Sequence, residues 1–209
     1  MAGATRTTED QPIATHAAPP TAPDAASATV ATLRARIGGY VVDMVIFLAI
    51  AMIIYVIAGA VLLFTTDFAE QDPTDAEVYT FMAIISIGIP LCWTLLNLFL
   101  LALRQQTGGQ YVAALRIEKE SGAALTRGSA LAWWFAGNPL LFSWPMALAT
   151  GLPLSALIWL LLAPIATWVF ILFVALCLIM PIAALIAAIS DERNRALHDR
   201  VAATVVVPA

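Results

Sequence analysis

Asp43 is the residue of this chain best placed to do chemistry. From Ile37 to Thr65 it is the one charged residue in an otherwise apolar or neutral run. A run of that length reads as a transmembrane helix. A carboxylate at the centre of such a helix costs about 2.5–3.5 kcal/mol on insertion scales, so it needs a partner or a task. Arg36 lies seven residues earlier. That spacing puts both side chains on one helix face, roughly 10.5 Å apart along the axis. Arg36 can snorkel to the headgroups while Asp43 stays about a third of the way into the hydrocarbon, so the two need not touch. Counting inward from Arg104, Asn97 falls at the same depth on the next apolar run. A carboxylate and an amide at one level could coordinate a small cation or share a proton. They could equally be hydrogen-bonding glue between two helices. Both readings are open.

The second group is His198-Asp199, in the densely charged stretch 191–200. On one continuous helix Asp191, Arg195 and Asp199 would form a salt-bridge ladder of small worth. The functional alternative folds His198 and Asp199 under the bundle, where Asp199 pairs with Arg36 or Arg34 beneath Asp43. Arg36, His198, Asp199 and Arg195 then make an inner polar cluster, with His198 able to relay protons or sense pH.

The elements that must position these groups are mostly apolar. Of the 209 residues, 61% are hydrophobic and 11% charged, against about 25% charged in soluble domains. The class expected is therefore an all-α integral membrane protein. Residues 1–30 form an Ala/Thr/Pro-rich tail, expected to be disordered and cytoplasmic, with His16 inert in it. The rest, 31–209, is the membrane domain, with spans expected at about 37–64, 78–103, 129–149 and 154–189. The third can be a full span or a broken, shallow one, because Asn138-Pro139 and Pro145 interrupt it. Trp133, Trp134 and Trp144 are expected to mark its interfacial ends. The fourth, 36 residues long, exceeds a hydrocarbon core of about 30 Å and must tilt, break or protrude, with Pro164 and Pro181 as the expected places. Pro90 is expected to kink the second span. Gly38 and Gly39 allow close approach of a neighbouring backbone, or simply loosen the helix start. Between the second and third spans, Tyr111–Glu118 has β character and a turn at 120–122 precedes Ala123–Thr126, so a small β-hairpin is expected there. Val201–Val207 reads as a strand that could join it. Cys92 and Cys177 both fall in apolar runs and are expected to be packing residues.

Orientation follows from the basic residues. All ten lie in three segments: Arg6, Arg34 and Arg36; Arg104, Arg116, Lys119 and Arg127; and Arg193, Arg195 and Arg200. The 65–77 loop is acidic and has none. If the basic segments are cytoplasmic, the chain crosses an even number of times between them. That predicts a four-helix bundle in the cell (inner) membrane with both termini cytoplasmic.

Other classes are disfavoured. There is no HExxH, Walker loop, Cys/His metal spacing or Gly-x-Ser-x-Gly, and no basic block for nucleic acid. No enzyme activity, metal or cofactor is expected.

Three patches carry a resemblance to a known family. They are Arg36-Ile-Gly-Gly-Tyr-Val-Val-Asp43, Thr107-Gly-Gly-Gln-Tyr-Val-Ala-Ala-Leu-Arg-Ile117 and Arg195-Ala-Leu-His-Asp-Arg-Val-Ala-Ala-Thr-Val205. Together they resemble the RDD family of bacterial and archaeal membrane proteins, named for an arginine and two aspartates. Gln110 stands where the family usually has Lys, and Ala114 where it usually has Gly. The resemblance implies a membrane protein for which transport has been suggested, sodium–proton exchange among the possibilities. The expectation is a transporter or transport component for a small ion or solute, oligomeric because one protomer offers few helices. Asp43 and Asn97 would be its ion or proton site. The alternative is a non-transporting scaffold or accessory subunit in which the same residues clamp the fold.

Overall fold

The computed structural model describes residues 30–209, without the side chains of 152, 155–164 and 166. The expected N-terminal tail, except for Val30, lies outside the described residues. Three helices among the described residues are long and apolar enough to cross a membrane. Helix α1 spans Leu33–Thr65 and α2 spans Asp75–Arg104. The third span is Thr167–Ile189, the C-terminal part of a longer helix described below.

The loop between α1 and α2 reverses the chain through left-handed backbone at Asp67, Phe68 and Ala69. Thr74 then caps α2 in a reciprocal capping box with Glu77, satisfying two of the four free N–H groups of the first turn. The apolar residues of α1 divide into two sets. Phe47, Ala51 and Ala58 are buried, while Val45, Met52 and Val56 point outward. In a chain of this composition the outward set faces lipid, where exposed apolar surface costs nothing.

After α2 the chain makes a short helix, α3 (Gly108–Val112), and a strand, β1 (Leu115–Lys119). The expected hairpin is only partly present. Tyr111 and Val112 are helical, because Thr107 and Gln110 form a capping box that starts a helical turn. Ala123–Thr126 is not a strand. The partner of β1 is instead the C-terminal strand β2 (Thr204–Pro208), antiparallel, with Ile117 opposite Val206. Ala31, just before α1, donates its N–H to Val206 O at 2.9 Å. The start of α1, the segment after α2 and the C-terminal segment are thereby tied at one end. All the described basic residues belong to those three segments, so this is the basic end.

The segment expected as a third span, 129–149, is not one continuous helix. It comprises α4 (Arg127–Phe135), an irregular stretch, a single turn α5 (Trp144–Met146) and a π-helical turn, Ala147–Gly151. Pro139 and Pro145 each lack the N–H that a continuous helix requires. The four-helix count therefore gives way to three long apolar helices among the described residues. The broken segment still travels far. Pro139 O accepts from the Tyr40 hydroxyl at 3.1 Å, and Ala149 O accepts from the Tyr55 hydroxyl at 2.9 Å. Tyr40 and Tyr55 are about 22 Å apart along α1. The chain thus runs from the basic end toward the opposite end beside α1.

Helix α6 (Leu152–Ile189) then returns to the basic end, where Arg200 donates to Ala187 O at 2.7 Å. It is not straight. Gly151 lies against the rings of Phe170 and Phe173, which a straight helix would carry about 30 Å away. The helix bends between them, in the interval that holds Pro153 and Pro164. A left-handed residue, Asn194, ends the turn after α6, and α7 (Leu197–Ala202) leads into β2. This break prevents a single helical ladder through Asp191, Arg195 and Asp199.

Candidate functional site at the basic end

The Asp43 carboxylate is buried and is bonded to the start of α3. Its Oδ2 accepts from the Thr107 hydroxyl at 2.6 Å and its Oδ1 from the Gly109 N–H at 2.7 Å. Thr107 is the N-cap of α3, so the carboxylate takes one free N–H of the first turn, that of Gly109, together with the cap hydroxyl. The backbones must approach closely for this. A Cβ on Gly109 would collide with Gly39 O and lie 2.7 Å from Asp43 Cγ. Gly39 and Gly109 therefore pack backbone to backbone, while a Cβ on Gly38 would meet nothing within 4 Å.

Below Asp43 lies the expected ion pair. Arg36 donates to Asp199 Oδ2 and to the Asn194 carbonyl. Asp199 is fully buried and accepts further bonds from Trp133 Nε1 (2.7 Å) and the Ala196 N–H (2.9 Å). Burial by itself would raise its pKa. The charges of His198 and Arg36, with the hydrogen bonds from Arg36 and Trp133, outweigh this and hold it below the ordinary carboxylate value. His198 is buried edge-on against the Trp133 ring, centroids 4.8 Å apart, with Nε2 3.6 Å from Asp199 Oδ1. Burial lowers the His198 pKa, opposed by Asp199 and assisted by Arg36.

Two expected members of the site lie elsewhere. Arg195 pairs with Asp191 (3.0 Å) and Glu120, tying the charged stretch to the turn after β1. It does not join the Arg36–His198–Asp199 group. Asn97 is buried in α2, where its Nδ2 donates to Trp93 O at 2.9 Å; no hydrogen bond links it to Asp43. Its Oδ1 has no partner among the described residues.

Of the three tryptophans of the 129–149 segment, Trp133 and Trp134 are buried inside the protein and Trp144 is well exposed. Trp133 serves as a donor to Asp199, a role for which an apolar segment gives no sequence signal. Thr107 and Gly109 belong to a patch that drew notice, but nothing in their spacing linked them to Asp43.

Arg36, Tyr40, Asp43, Gln110, Asn138 and His198 supply the polar part of the wall of a cavity of about 310 Å³. The rest of its wall is apolar and comes from α1, β1, β2, the stretch around Leu140, and α6. Asn97 is not part of it. Among the described residues no group of three or more His, Cys, Asp or Glu side chains is placed to hold a metal ion.

No curated protein and no solved structure matches this chain. The model of the RDD family matches residues 30–203. That interval contains the Arg36–Asp43 helix start, the Thr107 turn and the His198-Asp199 pair, the three pieces that meet at the basic end. The chain belongs to the RDD family and is a membrane protein.

Proposed function

We propose that the protein is a transporter or transport component for a small ion or solute, and that the cavity at the basic end is where the solute sits. The observation that carries this reading is the cavity itself. Its volume, about 310 Å³, is at the lower end of the range of small-ligand sites, and it combines an apolar wall with a few convergent polar groups, as such sites do. Asp43 is the intramembrane carboxylate on that wall and the group to carry a coupling proton or cation. Asn97 supports α2 and has no part in the site.

The basic end is the cytoplasmic face in this reading, by the excess of Arg and Lys there. The chain then makes four passages, the third being the broken segment 127–151, and both termini are inside the cell membrane. Neighbouring copies would supply the remaining walls of a pathway.

A scaffold or accessory role is the second reading. Both oxygens of Asp43 and both of Asp199 are already hydrogen-bonded within the protein, which favours a clamp. Flux of H⁺, Na⁺ and K⁺ into proteoliposomes, wild type against Asp43→Asn and Asp43→Glu, separates the two. Transport predicts flux in wild type, none in folded Asp43→Asn and partial flux in Asp43→Glu. No flux in wild type favours the scaffold, and equal flux in all three removes Asp43 from the transport step.

A further inference from the structure

The cavity is shut toward the basic end and open on its side. Leu33 packs on Ala184, Ala188 and Ala196, and Arg36 is bonded to Asn194 and Asp199. These contacts close its base. Above them, Ile37 of α1 and Leu185 of α6 both line the cavity and are 46% and 43% exposed. Val41 and Val45 continue the exposed apolar surface along α1, and Ile182 and Ile186 do so on α6. The opening therefore lies in the lipid-facing surface. Pro181, four residues before Leu185 on the same face of α6, also lines the cavity. The gap between the two helices thus presents hydrocarbon to whatever enters it. A hollow beside lipid loses dispersion contacts wherever its walls lack partner atoms. At about 310 Å³ this one exceeds the apolar cavity of about 150 Å³ that stays dry and takes up benzene. An acyl chain of the bilayer is the hydrocarbon at hand to fill the opening.

The charges at the mouth select the lipid. Arg34 precedes Ile37 by three residues, on the same side of α1 and about 4.5 Å nearer the basic end. It is exposed, and no carboxylate among the described residues pairs with it. Arg193, on the turn after α6, is likewise exposed and outside every ion pair of the described residues. The next residue, Asn194, donates to Ala31 O at 3.3 Å and accepts from Arg36, which holds that turn against the start of α1. Asp191 is taken up by Arg195 and Arg200, so Glu192 is the unpaired carboxylate of the turn. Two unpaired guanidinium groups thus stand against one carboxylate beside the opening. A guanidinium holds a phosphate through paired N–H donors, and its long stem lets it reach the headgroup level.

We propose that an anionic phospholipid is bound at the opening between α1 and α6. One acyl chain lies between Ile37 and Leu185 and closes the side of the cavity that the protein leaves open. The phosphate rests on Arg34, with Arg193 adding positive charge. The proposal goes beyond the transport reading and does not depend on it.

The test is photolabelling of the purified full-length protein in phosphatidylcholine nanodiscs. The probes are a phosphatidylglycerol and a phosphatidylcholine, each with a diazirine in one acyl chain. Around Ile37 and Leu185 the phosphatidylglycerol probe should label at least about fivefold more, the factor that one arginine near a membrane surface supplies. Arg34→Gln should remove most of that excess, and the double variant with Arg193→Gln should remove all of it. Arg127→Gln takes the same charge from the same end, on α4, and should leave the excess unchanged. Leu185→Trp, which fills the gap, should cut labelling there by both probes. Equal labelling by the two probes overturns the proposal. So does an equal fall in Arg34→Gln and Arg127→Gln, which would mark general surface charge. Labelling spread evenly over the lipid-facing helices, or indifferent to Leu185→Trp, overturns the placement of the chain. Competition by soluble glycerol 3-phosphate would show that phosphate alone is held, and also overturns it.

Discussion

Arg36, on the first turn of α1, and Asp199, 163 residues later on α7, form an ion pair in which the carboxylate is fully buried and the arginine side chain is 12% exposed. Removing one partner of such a pair leaves an uncompensated buried charge and costs about 3–5 kcal/mol. Asp199→Ala should therefore strip most folded protein from the membrane. Asp191→Ala should be milder, because its partners Arg195 and Arg200 keep 24% and 41% of their side chains exposed and so are not left as buried charges. Thermal unfolding of detergent-purified protein measures the difference. Equal melting temperatures for the two variants would show that Asp199 is not a clamp.

The contact between α1 and α3 gives a sharper steric test. Gly109→Ala places a methyl group against Gly39 O and Asp43, and neither backbone can withdraw without breaking the Asp43 hydrogen bonds. A loss of several kcal/mol is expected, of the order seen for overpacking with lost buried bonds. Gly38→Ala meets open space and should be neutral or stabilising by up to about 1 kcal/mol, since Ala is the better helix former. Comparable loss in both variants would contradict the glycine contact.

Ala114 follows α3 with a φ of +51°. This left-handed residue ends α3 and turns the chain into β1. Alanine pays a steric cost there that glycine does not. Ala114→Gly should raise stability by about 1 kcal/mol despite the greater freedom of the unfolded chain, visible as a higher melting temperature. A lower melting temperature would contradict it.

Acid should weaken the basic end in two stages. Burial depresses the His198 pKa, so the unfolded chain takes up a proton near pH 6.5 before the folded protein does. Stability is therefore lost as pH falls below about 6.5. The Asp199 pKa is also depressed in the fold. Its contribution is complete above the ordinary carboxylate value of about 4 and is lost as pH falls through the lower folded value. The melting temperature of wild type should drop between pH 7 and pH 5, and that drop should be smaller in His198→Gln. An unchanged slope in His198→Gln would show that another group is responsible.

Much of this arrangement was legible in the sequence because membrane insertion makes charge informative. The apolar runs marked α1 and α2 to within a few residues, and the grouping of basic residues anticipated that three distant segments share one end. The Arg36–Asp199 pair was one of the arrangements left open by the sequence, Asp199 with Arg36 or with Arg34, against a helical ladder through Asp191 and Arg195. The rest has equally physical causes. For residues 129–149 the prolines left a full span and a broken one both open, and the structure takes the broken form; apolar composition alone does not decide between them. The C-terminal strand read at Val201–Val207 does join β1, about 90 residues away, whereas the hairpin partner read at Ala123–Thr126 is not a strand. The bonding of Asp43 to Thr107 and Gly109 depends on a helix N-terminus five residues long. Helical spacing pointed toward Asn97 instead, because depth was the one coordinate the sequence supplied.

The most direct measurement of the central claim fills the cavity and leaves the clamp alone. Leu185 lines the cavity from α6 and is 43% exposed, outside the buried packing around the Arg36–Asp199 pair. Leu185→Trp should leave the melting temperature within a few degrees of wild type while reducing ion or solute flux in proteoliposomes at least tenfold. Undiminished flux in a stably folded Leu185→Trp protein would contradict the claim that the cavity lies on the transport route.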